Sequence, residues 1–174
     1  GAWDFITKPY NGDIIKFRLR NAIERSQFSA FNRLKYLTEY DTLTGIYNKS
    51  KFFWAAREML DESPEENFAF VRVDIDRFQL INSFYGMEEG DRLLCYLAGK
   101  FKESGRAGHF VYGHIEEDVF AVCCTYSSKE QMLNYLESLK EYVKAYNRNF
   151  DIVPIFGLYY LDDLTLPIIE MLDR

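Results

Sequence analysis

Two carboxylates, Asp74 and Asp76, close a short run of apolar and β-branched residues, Phe68 to Val73, that reads as a buried strand. Acids at a strand's end are placed to hold a cation, and an isolated D-x-D serves equally to solvate a loop. The residues that follow must position them. Apolar residues recur at helical spacing through Phe78, Ile81, Phe84 and Tyr85 until Gly86, which can end a helix. Gly90-Asp91 then opens a second amphipathic run through Leu93, Leu94, Leu97 and Phe101. The unit expected is strand, carboxylate pair, helix, turn, helix.

The rest of the chain supplies the frame. Asp13 to Tyr40 contains no Gly or Pro, and its apolar residues Ile15, Leu19, Ile23, Ala30, Leu34 and Leu37 fall three, four or seven apart. That spacing predicts one helix of about 25 residues, about 40 Å long, more than one small domain covers. Part of its stripe is expected to pack on a second copy as a coiled-coil stalk, giving a homodimer. The alternative is a helix folded back on its own domain, since Ser26 and Arg33 interrupt the seam. Tyr40 to Asn48 reads as a turn, with Gly45 able to take positive φ and Asn48 or Ser50 able to cap the next helix. That helix carries Phe52, Phe53, Ala56, Met59 and Leu60 and stops near Ser63-Pro64. Beyond Gly105 a hairpin is expected over His109 to Tyr126, turning across Glu116-Glu117. A helix over Ser127 to Asn147, a strand over Asp151 to Tyr160 and a helix from Leu164 to Arg174 complete the order, which fits an α/β domain with a central mixed sheet.

Composition narrows the function classes. With 174 residues, 48% of them hydrophobic and 17% aromatic, the chain is long enough for one globular domain and an appendage. A formal net charge of -6 argues against non-specific nucleic-acid binding and against contact with an anionic membrane, both of which need a basic face. Cys95, Cys123 and Cys124 are odd in number and the last two are adjacent, so reduced thiols in a soluble cytoplasmic protein are expected. No apolar run approaches the roughly 20 residues of a membrane span.

The order D-I-D-x-F at Asp74 to Phe78, then Asn82, Gly86 and Gly90-Asp91, resembles the GGDEF family, the diguanylate cyclases that join two GTP into cyclic di-GMP. Asp41 to Lys49, DTLTGIYNK, is similar to the family's lead-in segment D-x-L-T-G-L-x-N-R, with Lys49 where Arg is usual. The resemblance covers Asp41 to Arg174 and implies an α+β, palm-like nucleotide cyclase fold with its mixed sheet flanked by helices and preceded by the long N-terminal helix. It implies Mg²⁺ held by Asp74, the Ile75 backbone carbonyl and Asp118, and GTP bound through Asn82, Asp91 and Phe78. Asn82 and Asp91 match the pair that reads guanine, although Asp91 before a helix could also be a cap. Gly1 to Pro9 resembles the end of a response-regulator receiver domain. The expected division is therefore a receiver remnant at 1–10, a helical linker or stalk at 11–40, and a GGDEF-like domain at 41–174, truncated at its C-terminus.

The signature loop departs from the pattern: G-G-D-E-F becomes Glu116-Glu117-Asp118-Val119-Phe120. Of the loop only the catalytic acid position, Asp118, and Phe120 are retained. The glycines let the backbone approach the phosphates, and each carboxylate about 6 Å from a phosphate charge costs roughly 3 kcal/mol at an effective dielectric near 20. Gln79, Ser83 and Met87 replace the family's Lys, Asp and His, and Arg106 with His109 puts the product-inhibition motif R-x-x-D out of register. The family's phosphate-gripping lysine is expected to lie beyond Arg174. These departures favour a degenerate GGDEF domain acting as a GTP-sensing or regulatory module, beside receiver and EAL phosphodiesterase domains in a longer parent. An active or weakly active cyclase and a structural dimerisation unit are the alternatives.

Overall fold

The run from Phe68 becomes the central strand of the molecule because both of its faces are apolar enough to be covered. In β2 (Phe68–Ile75), Ala69, Val71, Val73 and Ile75 enter one core and Phe68 and Phe70 the other. The structure, a computed structural model, describes residues 12–104, 110–146, 151–165, 167, 168 and 170. The chain divides into two compact units, Gly1–Thr38 and Glu39–Arg174.

The first unit contributes nearly all of α1 (Gly12–Glu39), the single long helix that its spacing predicts. Its apolar residues are exposed: Leu19, Ile23, Leu34 and Leu37 all show about half or more of their surface. The expected receiver remnant lies outside the described residues.

The second unit is an α+β domain. It contains β1 (Tyr47–Asn48), α2 (Lys49–Glu62), β2, α3 (Phe78–Tyr85), α4 (Met87–Ser104), β3 (Phe110–Glu116), β4 (Val119–Thr125), α5 (Lys129–Lys144) and β5 (Pro154–Tyr160). The sheet order is β1-β3-β4-β2-β5, parallel only between β1 and β3. One face carries Phe78, Leu93, Leu97, Phe101, Leu139 and Val143 from α3, α4 and α5. The other carries Phe52, Ala56 and Leu60 from α2. Each fully buried phenylalanine, Phe52, Phe70 and Phe120 among them, stabilises the fold by about 2–3 kcal/mol. Asn48 caps α2 by accepting from the Lys51 amide at 3.0 Å, as expected, and Gly45 has φ 64°.

Five local expectations are corrected. Asp74 does not end the strand: β2 runs on to Ile75, with Asp74 opposite Ile155 on β5. Gly90-Asp91 does not open α4, which begins at Met87, because Gly86 at φ 89° reverses the chain and Glu88 and Glu89 favour a helix start there. Asp91 is thus inside the helix and caps nothing. The hairpin turns on Glu117 and Asp118, with Glu116 still paired to Val119. The Asp151 strand begins only at Pro154, and β1, two residues long, is too short to show any periodicity. Of the helix expected from Leu164, the described residues include Ile168, which is buried against the α2 face, and Glu170, whose amide donates to Pro167.

Candidate functional site

The hairpin carries Asp118 to the end of the central strand. Asp118 Oδ2 accepts from the Ile75 backbone N–H at 3.0 Å, closing a separation of 43 residues. Antiparallel pairing fixes this approach, since Val73 stands opposite Phe120 and the turn begins two residues earlier. Glu117, in that turn, has φ 44°, the left-handed region where a β-carbon is strained.

Asp74 has a different neighbour. Arg72 sits two positions before it on β2, hence on the same face, and grips the carboxylate through Nε–Oδ2 at 3.1 Å and Nη2–Oδ1 at 3.5 Å. A divalent ion needs hard oxygen ligands that face it. One of the two carboxylates here faces a guanidinium and the other accepts from a backbone amide. As arranged, both oxygens of Asp74 are engaged by Arg72, and one oxygen of Asp118 is engaged by the Ile75 amide. Asp76, at the exposed start of the next turn, pairs with Arg77 at 3.7 Å.

The α3–α4 hairpin assembles the second group of expected residues. Asn82 Oδ1 is buried and has no hydrogen-bond partner among the described residues. It lies against Gly90: a Cβ there would collide with that oxygen and stand 3.0 Å from Cζ of Phe78. Phe78 and Asn82 thereby both lie against Gly90, with Asp91 the next residue along and exposed. Orphaned buried acceptors are rare in folded proteins, and an amide oxygen is complementary to a ligand N–H.

Two further residues, Arg72 and His114, were not singled out by the sequence. Lys49, Arg72 and Glu116 line a cavity of about 40 Å³ walled by Phe53 and Ala121, and Lys49 Nζ lies 3.5 Å from Glu116 Oε2. The glutamate that replaces the loop's first glycine therefore has its own cation. His114 links the turn to the lead-in segment. Its Nε2 lies 2.8 Å from the Glu117 carbonyl, its Nδ1 lies 3.1 Å from Asp41 Oδ1, and its ring stacks on Phe120 at 4.8 Å. Burial raises the Asp41 pKa, but hydrogen bonds from the Thr44 hydroxyl and amide together with His114 outweigh it and hold the carboxyl below its ordinary value. Asp41 was visible in the DTLTG motif, while its partner 73 positions away was not. Arg106 and His109 lie outside the described residues.

Residues 38–155 match the family described as "Diguanylate cyclase, GGDEF domain". The protein YhcK of Bacillus subtilis is 35% identical over 79 residues, which is 44% of this chain and 22% of YhcK. The chain aligns with only about a fifth of the length of such curated relatives. Among solved structures, the coiled coil and GGDEF domain of DgcB from Caulobacter crescentus, in complex with c-di-GMP, superimposes with a TM-score of 0.76 at 16% identity, over 92% of this chain and 89% of that one. The S helix-GGDEF-EAL segment of Vibrio cholerae LapD, bound to c-di-GMP, gives 0.70 at 16% identity, over 86% and 36%. Likeness at these identities is a likeness of fold, and it agrees with the α+β sheet and long leading helix described above.

Proposed function

The chain belongs to the GGDEF family, and from that membership we propose that it is a degenerate member, a GTP-sensing regulatory domain of a multidomain cyclic di-GMP signalling protein that makes no cyclic di-GMP itself. The observation that carries this reading is the turn. Glu117 stands in a left-handed conformation at the second glycine position of the signature loop, and Glu116 presents its carboxylate beside Lys49 at the first. Both put side chain and negative charge where a triphosphate must come close to the backbone.

The base-reading side is kept while the phosphate side is not. Among the described residues Asn82 Oδ1 has no donor, it lies with Phe78 against Gly90, and Asp91 is exposed next to them. Guanine offers donors at N1 and N2, which an amide oxygen and a carboxylate can accept. Cyclases of this family use Mg²⁺ at the positions of Asp74, Ile75 and Asp118, but binding in this proposal relies on the base side, since Arg72 stands on Asp74. Association through α1 into a homodimer, and receiver and EAL domains in the same polypeptide, complete the proposal; a leading helix in DgcB and an EAL domain in LapD are precedents in proteins of like fold.

The test is incubation of the protein with GTP and Mg²⁺, with chromatography for product and calorimetry for binding. Weak saturable GTP binding with no cyclic di-GMP is the expected result. Steady product formation overturns the reading in favour of an active cyclase, and the absence of both binding and turnover reduces the domain to a dimerisation unit.

A further inference from the structure

We propose that Arg72 is the resident cation of this site: its guanidinium holds the Asp74 carboxylate and so keeps a divalent metal off it. The proposal rests on reading the site as a nucleotide pocket of this family.

The pair is built into the sheet. Residues two apart on a strand share a face, and β2 is locked between β4 and β5, so the backbone cannot carry Arg72 away from Asp74. Its cross-strand neighbours are small, Ala121 on β4 and Gly157 on β5. A Cβ at Gly157 would already touch the Cβ of Arg72 at 3.6 Å. Two small flanking residues leave the sheet surface open for a long side chain to lie along the strand and reach the carboxylate. The resulting fork has contacts at 3.1 and 3.5 Å.

A covalently tethered cation also has an advantage over a dissolved one, because its effective concentration at the carboxylate far exceeds that of a metal at cellular levels. A divalent ion entering here must displace the guanidinium from Asp74 or sit beside it as a like charge. It would meet Asp118 with one oxygen already accepting from the Ile75 amide. The same exchange recurs across the small cavity, where Lys49 answers Glu116. Two bases and one acid line that wall, so its cations are supplied by the chain itself.

The experiment is calorimetric titration of Mn²⁺ alone into the wild-type chain and into Arg72→Met, Arg72→Lys and the double variant Arg72→Met/Asp74→Asn. Wild type and Arg72→Lys are expected to show no saturable site. Arg72→Met should gain one, at least about tenfold tighter than any residual wild-type binding, and the double variant should lose it. Equal Mn²⁺ affinity in wild type and Arg72→Met overturns the proposal, and so does a failure of a folded Arg72→Met to gain a site. Where Arg72→Met does not fold, Asp74→Asn alone decides: unchanged Mn²⁺ behaviour supports the proposal, and loss of a wild-type site defeats it. Parallel GTP titrations in EDTA and in Mg²⁺ separate this idea from its premise. Equal GTP affinity in both media supports a metal-free pocket, whereas no GTP binding in either defeats the nucleotide-sensing reading and leaves the Mn²⁺ comparison to judge Arg72.

Discussion

Gly90 shows how a single atom sets a site. Its missing side chain is what allows Asn82 and Phe78 to lie against α4: an added Cβ would run into the Asn82 amide oxygen and crowd an aromatic ring, so Asn82 must shift to admit it. Gly90→Ala is therefore expected to lower stability by about 1–3 kcal/mol through overpacking, despite alanine's higher helix propensity. Urea denaturation checks this, and a variant as stable as wild type refutes the tight contact. The same substitution pushes Asn82 out of place, so GTP binding should weaken beyond what the lost stability explains.

Among elements, the β3–β4 hairpin carries the most information about function. Its two strands pair with a register irregularity between His114 and Glu116, and its turn is held by Asp118 against Ile75 and by His114 against the Glu117 carbonyl. These contacts impose a left-handed backbone on Glu117. Glu117→Gly removes the strained β-carbon and is expected to stabilise the domain by about 1 kcal/mol, read as a rise in melting temperature. Turnover should not return with it, because Glu116 and Val119 still depart from the family loop and Arg72 still holds Asp74. A variant that melts lower than wild type contradicts the strained turn, and one that makes cyclic di-GMP contradicts the proposed inactivity.

At the scale of the whole molecule the exposed stripe of α1 is the main unanswered surface. Ile23 and Leu37 are 49% and 51% exposed, and a long helix with an apolar seam is stabilised by a partner helix rather than by water. Replacing both with Glu places charge in that seam and is expected to convert a concentration-dependent dimer into a monomer by sedimentation. The same mass for both proteins ends the stalk proposal. No helix among the described residues is long and apolar enough to cross a membrane.

The sequence by itself determined most of the elements and the family. Helical spacing located α1, α2, α3 and α5, apolar runs located β2 and the β3–β4 hairpin, and two motifs at family spacing identified the fold, because these signals are local and periodic. It also showed the loss of both loop glycines, which needs no coordinates. The tertiary structure decided what each polar residue faces. Arg72 lay inside an apolar run and carried no motif, yet strand alternation and two small cross-strand neighbours set it on Asp74. His114 reached Asp41 only through the sheet, and Gly90 turned from a helix start into a packing contact because Gly86 had already reversed the chain. Periodicity reports which face a residue is on, whereas the partner across that face comes from strand register and helix contact between segments far apart in sequence.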